Sequence, residues 1–234
     1  RGGSDYTAAI LSAALGVEQL EIWTDVDGFM TADPKRVKKA LAIAHLSYAE
    51  AMELSHFGAE VVYTPTIMPV YLKNINIRIR NSFQPDAPGT LISGESVAEK
   101  NSLIKGISSI DEIDLITLQG AGMVGVRGIS SRLFGALARH DVNIILITQA
   151  SSEYSISFAI NPNDSALAIS ALEKEFEPEI RLRHELNIRV ERDLSIIAIV
   201  GEQMKNTPGI SANLFASLCR NGISVIATAQ GSSE

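Results

Sequence analysis

The front of the chain alternates apolar runs of strand length with segments of helical pattern. Three runs predict strands, at residues 19–24, 61–63 and 75–80. Two segments rich in helix-forming residues predict helices, at residues 4–15 and 48–57. Because strands alternate with helices, residues 1–92 are expected to form an α/β domain with a mostly parallel sheet. The polar stretch at 93–101 predicts a linker.

The back of the chain contains an internal repeat. Shifted by 81 residues, 120–153 aligns without a gap with 201–234, and 14 of the 34 positions are identical. Each copy has the pattern strand, glycine loop, helix, strand. The first copy continues with a strand, a helix and a strand, predicted at 154–160, 164–176 and 188–191. This order, βαββαβ, is that of a ferredoxin-like unit.

Residues 102–193 are therefore assigned to one ferredoxin-like domain and 194–234 to a second, which lacks its last three elements. The truncated domain would have an unpaired sheet edge, and a strand at 103–108 is the available partner. If that strand pairs with the second domain, the two domains interlock. The chain begins in a glycine-rich loop at Arg1 and stops inside a repeated motif at Glu234, so we expect it to continue on both sides.

Composition excludes several classes of protein. With 46% hydrophobic and 20% charged residues, the 234-residue chain is too apolar to be disordered. It has no unbroken apolar run of about 18 residues that could span a membrane, and its net charge of −7 argues against nucleic-acid binding. The single cysteine, Cys219, fits a reducing, cytoplasmic location. The four histidines show no metal-ligand spacing, so no metal site is predicted.

Two polar clusters near the start of the chain suggest ligand chemistry. In residues 1–5 (RGGSD), glycines precede a helix whose free N–H groups favour a phosphate or carboxylate, and Arg1 can pair with a carboxylate. Residues 24–28 (TDVDG) follow a strand, where open α/β sheets bind ligands. An ordinary helix capped by Ser4 or Asp5 and an ordinary strand-end turn would give the same residues, so both interpretations stay open.

Several motifs, in order, resemble those of aspartokinases. RGGSDYTAA, WTDVDGFMTADPK, MELSHFGAEVVYTPTIMPV and APGTLI resemble the carboxyl-terminal part of the family's catalytic domain. GAGMVGVRGISSRLFGAL and ITQASSE, with the repeat ending QGSSE, resemble its paired ACT regulatory domains. The resemblance implies part of a three-layer αβα amino-acid-kinase fold, followed by two interlocked ACT domains of which the second is incomplete. It is strongest to the bifunctional aspartokinase–homoserine dehydrogenases, and the sequence does not say whether a dehydrogenase domain follows.

The resemblance implies transfer of the γ-phosphoryl group of ATP to the side-chain carboxylate of aspartate, with Mg²⁺. By resemblance, aspartate is bound by Arg1, Ser4 and Asp5. By resemblance, the nucleotide is bound by Thr24, Asp25 and Lys35. Lys35 replaces an arginine of the family. Glu60 replaces a lysine associated with nucleotide binding, and a carboxylate at that position would repel the phosphates of ATP. Since the amino-terminal part of the family's catalytic domain is missing, the 234-residue chain alone is expected to be inactive.

The ACT resemblance implies feedback regulation by an amino acid, threonine or else lysine, in a homodimer formed through these domains. The implied effector-site residues are Met123, Gly128, Ile129, Asn143, Gln149 and Gln230. Independently of the family, loop N–H groups can bind a carboxylate, and a glutamine offers both donor and acceptor. The repeated Gln-x-Ser-Ser-Glu could equally be a structural turn. Two rival functions are a sensing module without catalysis and another amino-acid or nucleotide kinase of the same fold.

Overall fold

The computed structural model describes residues 3–58, 61–94, 103–151 and 153–231, with the backbone alone at 205 and 206. Its contacts divide the chain into two units. Unit 1 comprises Arg1–Ser109, Ile197–Ser224 and Gln230–Glu234. Unit 2 comprises Ile110–Ile196 and Val225–Ala229. None of the helices in the described ranges has the length and apolar character needed to cross a membrane.

Unit 1 contains a four-stranded mixed sheet in the order β1-β3-β4-β2. Its strands are β1 (Gln19–Thr24), β2 (His45–Ser47), β3 (Asn76–Asn81) and β4 (Thr90–Ser93). Its helices are α1 (Gly3–Leu15), α2 (Tyr48–His56) and α3 (Ile67–Tyr71), with a 3₁₀ turn at Thr64–Thr66. The β1–β3 and β2–β4 pairs are parallel, and β3–β4 is antiparallel. Every second residue of β3 is buried, so one face of this strand packs on the core.

Local sequence explains why α2 begins where it does. Ser47 accepts the N–H of Glu50, and the Glu50 carboxylate accepts the N–H of Ser47, which is a complete capping box. Tyr48 then donates its hydroxyl to the carbonyl of Ile75 at 2.6 Å, and burial raises the pKa of Tyr48. These contacts fix α2 against the strand that follows α3.

Three predictions about unit 1 were wrong. The apolar run 61–63 forms a turn rather than a strand, because Pro65 removes a ladder donor and Thr66 bonds back to the carbonyl of Tyr63. Helix α1 begins at Gly3, so Ser4 and Asp5 lie in its first turn and are not N-caps. The predicted linker begins too early, since Ser93 is the last residue of β4. The rest of that linker from 95 onward lies outside the described residues.

Unit 2 contains the predicted βαββαβ order, with the sheet order β6-β7-β5-β8. Its strands are β5 (Gly106–Gln119), β6 (Ile144–Gln149), β7 (Ser155–Ile160) and β8 (Asn187–Val200). Its helices are α4 (Ile129–Ala138) and α5 (Ser165–Glu175), with 3₁₀ turns at Ala121–Met123 and Pro162–Asp164 and a π-helical turn at Pro178–Leu182. The helices bury an apolar face against the sheet, with Leu133, Phe158 and Leu172 fully inside. The α/β fold prediction is confirmed.

Two long strands differ from the prediction, because polar interruptions did not end them. β5 joins the second half of the predicted strand at 103–108 with the first strand of the first repeat, predicted at 113–119. β8 joins the predicted strand at 188–191 with the first strand of the second repeat, predicted at 194–200. Glu112 in β5 and Asp193 in β8 adopt positive φ values of 52° and 57°. We conclude that each strand continues through its polar residues and has an irregular backbone conformation there.

The first four residues of β5 and the last four of β8 belong to unit 1. Unit 1 also contains a 3₁₀ turn at Glu202–Asn206 and helix α6 (Ile210–Arg220). Lys105 donates its N–H to the carbonyl of Val200 at 2.8 Å, a bond of the kind required if the 103–108 strand pairs with the second repeat. Residues 223–231, the counterpart of β6, have no regular secondary structure.

Candidate functional site

The loop at residues 24–28 follows β1 and lies at the carboxyl edge of the unit 1 sheet. β1 and β3 are parallel, and Thr24 stands opposite Asn81 in the register, so both strands end at this edge. Thr24 Oγ1 donates to Asp25 Oδ1 at 3.1 Å, and Asp25 is exposed. This edge is where α/β sheets bind ligands, and the loop presents a hydroxyl and a carboxylate there.

Neighbouring residues of β3 anchor this loop. Asn81 Nδ2 donates to Asp27 Oδ1 at 2.6 Å, and the N–H of Ser82 donates to the carbonyl of Thr24 at 2.8 Å. Sequence reasoning missed Asn81, because a lone asparagine at a strand end carries no distinctive signal. The conformation of the loop is therefore set by residues more than 50 positions further along the chain.

Helix α1 carries Ser4 and Asp5 in its first turn. The helix packs on the sheet through the fully buried Ala9, and residues 16–18 connect it to β1. A helix of 13 residues and a strand of 6 are each about 20 Å long. A helix that runs back along the strand therefore begins near the strand's carboxyl end. Ser4 and Asp5 lie in the first helical turn, where free N–H groups favour anions.

The remaining residues predicted for nucleotide or aspartate binding are Lys35, Arg1 and Glu60. The Asp33 carboxylate accepts the N–H of Lys35 at 2.9 Å, which fixes a turn from which Lys35 projects with an exposed side chain. Arg1 and Glu60 lie outside the described residues, so their assigned roles stay predictions. The structure thus places Thr24 and Asp25 at the carboxyl edge of the sheet and Ser4 and Asp5 in the first turn of α1, and it leaves the role of Lys35 as predicted from sequence.

Tryptophan 23, the single tryptophan of the chain, lies directly before this loop. The residue is 45% exposed, and the guanidinium carbon of Arg80 lies 4.6 Å from the ring centroid. Cation–π contacts of this kind are favourable but modest. A fluorescent side chain therefore lies one residue from Thr24, where it can report ligand binding.

In unit 2, the first-copy glycine loop and Gln149 lie at one edge of the sheet. β5 and β6 both run antiparallel to β7, so their carboxyl ends meet at the same edge. Met123 is buried, and Gly128, with φ of 87°, precedes the first residue of α4, the buried Ile129. Gln149 ends β6 with an exposed side chain. The N–H groups of residues 122 to 126 in this loop already donate to oxygen atoms of the protein.

Two further residues change this description. Glu153, which ends the repeated motif, accepts the N–H of Gly125 at 3.2 Å through Oε2. Its identity in both repeats was a signal that could have been used to include it in the site. Asn143 precedes β6 at the opposite end from Gln149, roughly 20 Å along the strand, so the structure does not bring these two together. Gln230 is exposed in the counterpart segment of the second repeat.

Carboxylates are the side chains of this site that could hold a metal ion. The described residues contain no group of three or more histidine, cysteine, aspartate or glutamate side chains able to hold a metal ion. Mg²⁺ is often held by one or two carboxylates together with substrate phosphates. The exposed carboxylate of Asp25 fits such a role, whereas the Asp27 carboxylate is bonded to Asn81.

Comparison with protein families assigns both halves of the chain. The amino acid kinase family matches residues 1–81, and the ACT domain family matches residues 116–176 and 197–234. The bifunctional aspartokinase/homoserine dehydrogenase of Haemophilus influenzae is 47% identical over 100% of the chain. The chain resembles aspartokinases along its entire length. The resemblance inferred from the motifs is confirmed.

Solved aspartokinases agree with this assignment over 100% of the chain at 30% to 32% identity. The aspartate kinase of Clostridium acetobutylicum superposes with a TM-score of 0.86. Aspartokinase III of E. coli in complex with aspartate and ADP, an R-state structure, gives 0.81. The same enzyme in complex with lysine and aspartate, a T-state structure, gives 0.76. The chain spans 29% of the Haemophilus relative and about half of each solved aspartokinase.

Proposed function

We propose that this chain supplies aspartate- and nucleotide-binding residues and the amino-acid sensor of an ATP-dependent aspartate kinase. The observation that carries this proposal is the position of Thr24 and Asp25 at the carboxyl edge of the sheet, with Ser4 and Asp5 in the first turn of the helix that precedes that strand. In this proposal Ser4 and Asp5, with Arg1, orient aspartate. Thr24 and Asp25 lie on the nucleotide side, and Lys35 supplies a cation near the phosphates.

Phosphoryl transfer depends mainly on positioning and on charge neutralisation, which fits a site of loop N–H groups and small polar side chains. Mg²⁺ supplies neutralisation of phosphate charge when it is bound, and Asp25 is the carboxylate on this loop that would hold it. Asp25 is already oriented by its hydrogen bond from Thr24. The complex of the E. coli enzyme with aspartate and ADP supports this choice of ligands.

Ligand binding by the 234-residue chain tests the kinase half without requiring turnover. ADP should change Trp23 fluorescence in a saturable manner and raise the melting temperature, and Asp25→Ala should weaken both effects. Asp86→Ala, which alters an exposed aspartate in another turn, is the matched control. Absence of any response to ADP and aspartate in the parent chain would overturn the proposed kinase function. A coupled assay of the same chain is expected to give no turnover.

For regulation, we propose that threonine binds the first-copy loop, with Gln149 contacting the ligand and Gly128 and Ile129 forming the end of the loop. Glu153 supports this placement, because a carboxylate already accepts a loop N–H there. Met123, Asn143 and Gln230 are kept as predicted contributors to effector binding. Lysine is the alternative effector, as in the T-state complex of the E. coli enzyme, and a homodimer through the ACT domains is part of the proposal.

Calorimetry with threonine and lysine tests this sensor. Threonine should bind, and Gln149→Ala should weaken its binding several-fold, since the glutamine amide supplies both a donor and an acceptor. Gln84→Ala, at an exposed glutamine of unit 1, is a control of the same residue type. Equal threonine affinity in the parent and in Gln149→Ala would favour the structural-turn interpretation. Threonine binding combined with no response to ADP would favour a sensing module without catalysis.

A further inference from the structure

The side-chain amide of Asn81 is buried, and both its nitrogen and its oxygen form hydrogen bonds. It is 6% exposed and is the last residue of β3. Its Nδ2 donates to Asp27 Oδ1 at 2.6 Å, and its Oδ1 accepts the N–H of Phe83 at 2.8 Å. The second bond fixes the orientation of the amide, so its NH₂ group faces Asp27.

The residue after Asp27 is held just as firmly. Gly28 adopts φ of 113°, and a Cβ placed on it would approach Thr90 Oγ1 to 2.3 Å, so a side chain there would be strained and would collide. Phe29 donates its N–H to the same Thr90 oxygen at 2.9 Å. The carboxyl-terminal half of the loop is therefore fixed, while Asp25 and Val26 remain exposed.

We propose that the Asp27–Asn81 pair is the positioning element of the nucleotide side of the site, an inference that rests on the proposed function. The Asp27 carboxylate is bonded to Asn81, so its role is structural within the loop. By holding Asp27, Asn81 sets the backbone that presents Thr24 and Asp25. It also keeps a second negative charge away from the position assigned to the phosphates, where that charge would repel them.

Exchanging the two partners separates positioning from simple stability. Asn81→Asp places two carboxylates at hydrogen-bond distance, so they repel and the loop is released. In the double variant Asp27→Asn/Asn81→Asp, the amide on residue 27 donates to the carboxylate on residue 81, which still accepts the N–H of Phe83. The bond is thus rebuilt in the opposite direction with the same net charge as the parent chain.

The measurement is ADP affinity from Trp23 fluorescence, at one ionic strength, with folding checked by circular dichroism. Asn81→Ala and Asn81→Asp are expected to weaken ADP binding about tenfold, the effect of losing one charge-assisted hydrogen bond. The double variant is expected to return to within about threefold of the parent. Asn76→Ala, at the other end of β3, is the matched control and should bind like the parent.

Parent-like affinity in both single variants would overturn the proposal, as would a folded double variant that binds no better than Asn81→Asp. If Asn81→Asp fails to fold, a folded double variant with parent affinity supports the pair, and an unfolded double variant overturns it. Failure of the parent chain to bind ADP would overturn the proposed function and this role together. That outcome is visible without any variant, so the two failures are distinguishable.

Discussion

Two fully buried threonines in unit 1 differ in how their hydroxyl groups are satisfied. Thr90 Oγ1 accepts the N–H of Phe29 at 2.9 Å and donates to the carbonyl of Ile43 at 2.7 Å. Thr66 is equally buried, but its Oγ1 has no hydrogen-bond partner among the residues that the structure describes. A buried hydroxyl without a partner costs stability, whereas one with two partners is expensive to remove.

We therefore expect opposite results from one substitution at these two sites. Thr66→Val should leave the free energy of unfolding unchanged or raise it by about 1 kcal/mol, because it removes an unpartnered polar group. Thr90→Val should lower that free energy by about 2 kcal/mol, because it leaves a buried N–H without an acceptor. Urea unfolding of both variants measures the difference. A loss at Thr66 equal to that at Thr90 would contradict this prediction.

Secondary structure could be predicted wherever local chemistry decides it. The alternation of β7 and the good helix formers of α2 were sufficient, and both elements were confirmed. Residues 61–63 were not predictable in this way, because Val62 is buried in a turn and gives the same apolar signal as a strand. The position of Thr24 and Asp25 at the end of a strand could be predicted from the apolar run before them. Asn81 could not, since its role depends on a partner 54 residues away.

At the scale of elements, an ionic network joins α4 to the residues after α5. Arg132 on α4 donates to Glu179 at 2.6 Å and to Glu175 at 3.0 Å, and its guanidinium lies 4.3 Å from the ring centroid of Phe176. The hydrogen bond from Arg132 lowers the pKa of Glu179, against an opposing effect of burial. Since Glu179 is only 16% exposed in its side chain, this pair is screened less than a surface pair.

A lowered pKa predicts a defined loss of stability in acid. Glu179 contributes stability that is fully present above the ordinary glutamate pKa of about 4.3 and is lost as pH falls through the lower pKa of the folded state. The free energy of unfolding of the parent should therefore exceed that of Glu179→Gln by about 1 kcal/mol at neutral pH. This difference should shrink below about pH 4. Urea unfolding followed by circular dichroism across this range measures it.

Glu177→Gln provides the control for that experiment. Glu177 pairs with Arg181 at 3.6 Å, but both side chains are more than half exposed, so its removal should have little effect at any pH. A difference between parent and Glu179→Gln that stays constant from neutral pH to pH 3 would contradict the linkage. In that case the lost stability would come from packing rather than from ionisation of Glu179.

For the whole molecule, the duplication predicts the helix α6 and the strand that ends at Val200, but not the core that this strand joins. By sequence, Val200 ends a strand of the second repeat, yet it is fully buried in the core of unit 1. Its carbonyl accepts the N–H of Lys105, and a side chain on Gly201 would approach the Leu103 carbonyl oxygen to 2.3 Å. Glu202 then donates its N–H to the buried carboxylate of Glu50 at 3.1 Å. The hydrophobic pattern predicts that Val200 is buried but cannot say in which core, because any apolar surface could bury it.

Val200→Ala should therefore destabilise the half of the chain that resembles the kinase. Trp23 lies in unit 1, so its fluorescence during urea unfolding reports that unit. The free energy of unfolding measured in this way should fall by about 2 kcal/mol, because a fully buried valine is truncated in a packed core. Val225→Ala, at a valine of the second repeat that is 42% exposed, should leave the Trp23 transition nearly unchanged. If both variants unfold like the parent by this probe, the end of β8 does not belong to the unit 1 core. The second repeat would then fold independently of the sheet that carries Thr24 and Asp25.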